Sequence, residues 1–174
     1  IIEDPISHKI WASSREGICL IDPITLQANC YTYAGTNPIG LCYNLNIDNM
    51  GNIWAATFSG HIYQFASSPA IFQFSQLGNI KDPVNIGAVS SIYTADGTWF
   101  WLGVSPNGLV LYNKKDGKTL YNTDIPGFAE LNNTGLSTRI TSIIRRYNGQ
   151  LWFATNSNGI MVKENGKAAE AIYS

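Results

Sequence analysis

The sequence is poor in charge. Asp, Glu, Lys and Arg make up only 13% of its 174 residues, against roughly a quarter in an average globular domain. The formal net charge is −1, with both signs scattered along the chain. No basic stripe is present, which argues against nucleic acid as a partner. No polybasic or amphipathic segment suggests direct membrane contact, and no apolar run approaches the ~20 residues of a spanning helix. Histidine is scarce too: His8 and His61 are the whole supply. No His/carboxylate cluster has metal-ligand spacing, and nucleophile-elbow, HExxH, CxxC and phosphate-loop motifs are missing. With no assembled acid, base or nucleophile to support catalysis, the expectation is a non-enzymatic chain with no cofactor and no metal.

Cysteine is also sparse. Cys19, Cys30 and Cys42 fit no ligand spacing. Free buried thiols are the expectation, because free cysteine is among the most buried residue types. A Cys19–Cys30 pairing across neighbouring strands stays open, since register cannot be read from sequence. The opening Ile1-Ile2-Glu3-Asp4 lacks a signal-peptide pattern and reads as the middle of a structured element. The expectation is a piece of something longer.

What the chain does have is a repeated phrase. Trp11, Trp54, Trp101 and Trp152 recur at steps of 43, 47 and 51 residues, each inside an apolar run that leads to Gly17, Gly60, Gly108 or Gly159. A period of that size indicates a repeat architecture. Each unit opens with a short apolar strand: Ile1–Asp4, Leu45–Asp48, Ser91–Thr94 or Thr141–Ile144. A turn rich in Asn, Asp and Gly follows (Asn49–Asn52, Asp96-Gly97, Asn148-Gly149), built from residues that tolerate the positive φ of tight hairpins. The Trp strand comes next, then a third strand such as Ile62–Phe65 or Leu109–Tyr112. A weaker fourth strand closes the unit. Four antiparallel strands per period, without helical periodicity, predict an all-β chain: a β-propeller segment of four four-stranded antiparallel blades over 1–33, 43–74, 89–122 and 140–174. A Trp on a strand apolar on both faces suits a middle strand packed between two blades. The absence of a Trp-Asp ending excludes WD40 repeats, and the absence of Gly-Gly pairs excludes kelch; the sialidase aspartate box is only approximated. Turn aspartates Asp4, Asp48 and Asp96 are expected to cap their turns through backbone hydrogen bonds.

Asp48-Asn49-Met50-Gly51-Asn52-Ile53-Trp54-Ala55-Ala56-Thr57 resembles the two-component regulator propeller repeat, and Thr134–Ile143 resembles that family's connector between blades. The likeness extends over four units. Departures are Ser13-Ser14 in the first, where Ala-Thr or Gly-Thr is usual, and Trp99-Phe100-Trp101 in the third, where one Trp is usual. The resemblance implies an extracytoplasmic, periplasmic sensor region of an inner-membrane hybrid two-component system, of the kind common in gut Bacteroides. Such proteins carry more blades, then an immunoglobulin-like module, a membrane span and a histidine kinase. Their ligands are mostly oligosaccharides.

A propeller gathers the turns between second and third strands, and the long connectors, on one face. Loops of this kind are where binding concentrates. The candidate ligand residues there are Arg15, Glu16, Phe58, His61, Asn107 and Asn158, which supply aromatic and planar hydrogen-bonding groups suited to sugars. Arg145-Arg146 read as solvated edge charges, because neighbouring strand residues face opposite ways. A structural or oligomerisation role without a ligand is the alternative. The segment would then close as a four-blade ring, or pair with further blades or a second copy. A propeller lyase or glycosidase is the third reading, with only Glu16 and His61 on a common face.

Overall fold

The structure is a computed structural model that describes residues 1–65, 72–76, 87–105, 108–125, 127–128, 139–157, 159–164 and 170–173. The first sheet holds β1 (Ile2–Glu3), β2 (Ile10–Ser13), β3 (Ile18–Ile21) and β4 (Ala28–Tyr31), and a small hairpin follows, β5 (Tyr33–Ala34) and β6 (Asn37–Pro38). The second sheet holds β7 (Cys42–Ile47), β8 (Ile53–Thr57), β9 (His61–Phe65) and β10 (Phe72–Gln76). The third holds β11 (Val89–Tyr93), β12 (Trp99–Val104), β13 (Gly108–Asn113) and β14 (Thr119–Tyr121). The fourth holds β15 (Ile140–Arg145), β16 (Leu151–Thr155), β17 (Ile160–Lys163) and β18 (Glu170–Tyr173). Each is an antiparallel meander, and no helix occurs among the described residues. The glycine that starts or precedes each third strand has positive φ: 152° at Gly17, 79° at Gly60, 76° at Gly108 and 68° at Gly159. A side chain is disfavoured there.

The sheets stack in chain order through their first strands. β7 packs on β1 and β2, β11 on β7 and β8, and β15 on β11 and β12. Among the described residues, no strand of the fourth sheet packs on the first as neighbouring sheets do. Among the described residues the four sheets therefore form an arc. Three apolar clusters fill the interfaces, and the period-2 alternation of the second strands feeds them. Ile53 and Ala55 join the cluster with Trp11, while Trp54 and Ala56 join Phe100, Leu102 and Val104 in the next. Trp101 leans on Phe128 and Phe153 in the third.

Burial of the four tryptophans follows their place in the arc. Trp54 is 1% exposed and Trp11 is 4% exposed. Trp152 is only half-buried because its face is the outer one of the last sheet, and Trp101 is half-buried beside a cleft. The packing between two blades expected of each Trp is therefore incomplete at these two positions.

Backbone ties hold the sheets close. Ser90 and Ser91, both buried, donate from their hydroxyls to Ile140 O at 2.7 and 3.1 Å. A Cβ on Gly103 would lie 2.3 Å from Ser91 Oγ and 2.7 Å from Ile140 O, so only glycine lets the third and fourth sheets approach this far. The turn aspartates cap as expected. Asp48, 4% exposed, accepts from Met50 N, Asn52 N and Asn52 Nδ2, and its Oδ2 accepts from Trp54 Nε1 at 2.9 Å. Asp4 accepts from Ile6 N and Ser7 N, and Asp96 from Thr98 N and Trp99 N.

Asp48→Ala strands those donors, Trp54 Nε1 among them, and is expected to cost ~1–3 kcal/mol by urea denaturation; an unchanged midpoint would show that the turn does not depend on this carboxylate. Burial alone would raise the Asp4 pKa, but the hydrogen bonds from Ile6 and Ser7 outweigh it and hold the carboxyl below its usual 3.8. That contribution is present above pH 3.8 and lost as pH falls through the lowered value. Melting curves taken from pH 6 downward should therefore show a shallower acid loss in Asp4→Asn than in the native sequence.

Candidate functional site

One end of the arc collects the turns that follow β2, β8, β12 and β16, together with the chain entering β7, β11 and β15. Each of those three entering strands carries a bulge at the same register, leaving Tyr43, Ser90 and Thr141 as the extra residues. Bulges re-aim side chains. Ser90 Oγ and Thr141 Oγ1 turn back onto the carbonyls of Gly103 and Ala154, both at 3.2 Å. Tyr43 behaves differently. Its ring meets Phe58 edge-on, 6.0 Å between centroids, and the Arg139 guanidinium lies over it at 4.8 Å. Tyr43 enters the second sheet and Arg139 precedes the fourth, so this contact bridges two sheets with the third between them. Backbone bonds fix the parts: Phe58 N donates to Leu41 O at 2.8 Å, and Asn156 N to Arg139 O at 3.1 Å.

Phe58 belongs to this cluster and is 58% exposed. Arg15 and Glu16 are exposed on the first sheet's turn, which Cys42 N ties to the second sheet by donating to Ser14 O at 3.0 Å. His61 is held by its own turn. Its Nδ1 lies 3.0 Å from Ser59 Oγ, itself 3.0 Å from Thr57 Oγ1, and its ring stands edge-on to Tyr63. Burial lowers the His61 pKa, favouring the neutral ring at neutral pH. Asn107 and Asn158 lie outside the described residues, as do 77–86 and 129–138 of the connectors. Sequence reasoning missed Tyr43 and Arg139. An exposed Phe58 beside a half-buried Tyr43 under a guanidinium offers a stacking surface and several donors in one place, chemistry suited to a planar or hydroxyl-rich ligand. Among the described residues, no group of three or more His, Cys, Asp or Glu is placed to hold a metal ion.

Cys42 meets the expectation of a free buried thiol, whereas Cys19 and Cys30 take the alternative left open. Cys19 and Cys30 are register partners on β3 and β4 and form a disulfide. Free thiols were expected because the offset between the two strands cannot be read from the chain. Cys42 is free and buried, and burial pushes its thiol pKa up to about 12. Structural disulfides persist in oxidising compartments and are rare in the cytosol.

No protein-family model matches the chain and no curated protein matches it in sequence. Its fold is nevertheless shared. The extracellular domain of the hybrid two-component system BT4673 of B. thetaiotaomicron superposes with TM-score 0.66 at 16% identity, over 97% of this chain and 21% of that one. The corresponding domain of BT3049 gives 0.63 at 17%, over 98% and 27%. Virginiamycin B lyase of Staphylococcus aureus, with quinupristin, gives 0.69 at 15%, over 98% and 53%. The chain thus spans about a fifth to a quarter of the two sensor domains and about half of the lyase. At this identity the likeness establishes the propeller-type fold, which agrees with the all-β class expected from the repeat.

Replacing Cys19 and Cys30 by serine opens an 11-residue link, which should lower stability by ~3 kcal/mol if chain entropy dominates. Cys42 should resist iodoacetamide in the native protein and react on unfolding. Mass spectrometry after alkylation, with and without reductant, checks both the bridge and the protected thiol.

Proposed function

We propose that this chain is an extracytoplasmic sensing segment of a two-component sensor kinase, and that its ligand is an oligosaccharide. The observation that carries the reading is the Tyr43–Phe58–Arg139 cluster at the connector end, on a fold shared with sensor extracellular domains. Sugar rings stack on exposed aromatic faces while their hydroxyls take donors from guanidinium groups. Arg15 and Glu16, on the adjoining turn, would extend such a site. The Cys19–Cys30 bridge fits a periplasmic setting. Signal output requires that ligand bind one of two states more tightly. Arg139 and Tyr43 come from different sheets, so a ligand that stacks between them biases the relative placement of those sheets. This segment is read as non-enzymatic, although the fold is shared with a lyase.

A second reading is supported by the open outer face of the fourth sheet, where Ile144 is 54% and Ile172 is 49% exposed beside the half-buried Trp152. A surface of this kind suits a further blade of the same polypeptide or a second copy. The segment would then contribute scaffold, and light scattering would show a species larger than the 19.1 kDa chain.

Thermal shift against plant and host glycan fragments tests the sensing reading. A fragment at a hundred times its Kd adds ~2.7 kcal/mol, or roughly 5–10 °C for a domain of this size. Tyr43→Ala should abolish the shift. Failure of every fragment to raise the melting temperature would leave the scaffold reading standing instead.

A further inference from the structure

The opposite end of the arc, where first and second strands turn into one another, carries a site of its own at the junction of the third and fourth sheets. The hairpins of sheets two, three and four are the same length, so their positions correspond one to one from the register Asn46↔Trp54, Tyr93↔Trp101 and Ile144↔Trp152. The junction of sheets two and three is closed. Asn46 Oδ1 accepts from Thr94 N at 3.1 Å, and Asn49 N donates to Ala95 O at 2.8 Å, so the two hairpins are stitched together. Asp48 holds the indole of Trp54, and Gly97 sits so close that a Cβ there would lie 2.9 Å from it. Lys114 covers the ring at 4.8 Å while bonded to Gln64 Oε1.

At the next junction the stitching and capping residues have changed. Tyr93 stands in the place of Asn46, Asp96 in that of Asn49, Ala95 in that of Asp48 and Trp99 in that of Asn52. No stitch joins the two hairpins among the described residues, and a cleft of about 230 Å³ opens between Tyr93, Asp96, Trp99 and Trp101 on one side and Arg145 and Leu151 on the other. Its polar groups are unspent. With Ala95 replacing the aspartate, Trp101 Nε1 has no acceptor among the described residues. Asp96 uses Oδ1 for Thr98 N and Trp99 N, leaving Oδ2 over. The Arg145 guanidinium lies over Gly149, 3.7 Å from where its Cβ would be, with no ion pair among the described residues. Arg145 shares a face with its register partner Leu151, toward the third sheet. Arg145 is nonetheless exposed, as the solvated-edge reading expects, and so is Arg146, which turns to the other face with its guanidinium 5.4 Å from the Trp152 ring.

We infer that this cleft is a saccharide-binding site. Trp99, 37% exposed, and Tyr93 offer aromatic faces for a sugar ring. The indole N–H, the guanidinium and the free carboxylate oxygen provide donors and an acceptor for hydroxyls. The two charges cancel, which favours an uncharged, hydroxyl-rich ligand over an anion or a cation. The cleft is smaller than the ~300–1,000 Å³ of drug-sized sites and suits one sugar ring or the end of a chain. Both walls belong to this chain, so a blade or second copy added at either end of the arc leaves it in place. The site is independent of the connector-end cluster, and either can fail without the other.

The test follows the indole N–H resonance of Trp101 in the native chain during titration with glucose, galactose, mannose, arabinose and xylose at millimolar concentration. At least one sugar should shift that resonance saturably. Trp99→Ala and Arg145→Gln should each weaken it by roughly tenfold or more. Ala95→Asp should restore the aspartate–indole bond of the second sheet, close the cleft and abolish binding without loss of thermal stability. Tyr43→Ala, at the other end, should leave the titration unchanged. The inference is overturned if no sugar moves the Trp101 resonance, or if a shift persists unweakened in Trp99→Ala and Ala95→Asp.

Discussion

The structure depends on how closely four small sheets can lie face to face. Each second strand must place side chains on both faces, because each inner sheet has a neighbour on either side. A bulky residue on one face therefore requires small ones nearby. In the second sheet Trp54 is followed by Ala55 and Ala56, all at most 1% exposed. In the third, Trp101 is followed within two residues by Gly103, whose missing Cβ is the space occupied by Ser91 Oγ and Ile140 O. The indole supplies most of the buried apolar area, and the small residues permit the backbone approach that lets serine hydroxyls cross between sheets. Interiors packed at near-crystalline density leave no slack for a misplaced methyl group.

This constraint explains which features could be read from the chain. Hydrophobic alternation, the glycine before each third strand and the Asn/Asp/Gly hairpins are local signals, and they carried the all-β propeller class. The capping role of Asp4, Asp48 and Asp96 was legible for the same reason, since a carboxylate reaching backbone amides two or three residues on needs no tertiary information. The Cys19–Cys30 bridge was not legible, because it depends on the offset of β3 against β4. Burial of Trp101 and Trp152 was misjudged because it depends on what lies beyond their own sheet. One hangs over an unstitched junction and the other over an uncovered face.

The candidate ligand residues were partly legible. Phe58 was found because turns between second and third strands must project from one end of the stack. Tyr43 was missed because it lies inside what reads as an ordinary strand. Only the bulge between Cys42 and Asn44, paired to Thr57 and Ala56, turns it out of the alternation. The bulge recurs in the next two sheets, and there its extra residue is Ser90 or Thr141, whose short hydroxyl folds back onto the partner strand. A tyrosine ring is too long to do so, and it projects to the rim, where Phe58 and Arg139 meet it.

The hairpin shows the same logic at the other end. Register aligns Asp4, Asp48, Ala95 and Arg146 at one position of the four sheets. Asp48 grips its tryptophan. The first hairpin is one residue longer, and there Trp11 Nε1 finds no hydrogen-bond partner, although it lies near enough to favour the Asp4 carboxylate. In the fourth sheet the acceptor is supplied by Gln150 Oε1, 3.4 Å from Trp152 Nε1. In the third sheet the indole has no acceptor among the described residues, and the asparagines that stitch the second hairpin to the third have no counterpart. Stability alone does not require such a combination, since the second sheet closes the same junction with residues of ordinary size. Positions where a repeat obeys its own pattern report on packing, and positions where it departs from the pattern and leaves polar atoms unspent report on what the surface is free to bind.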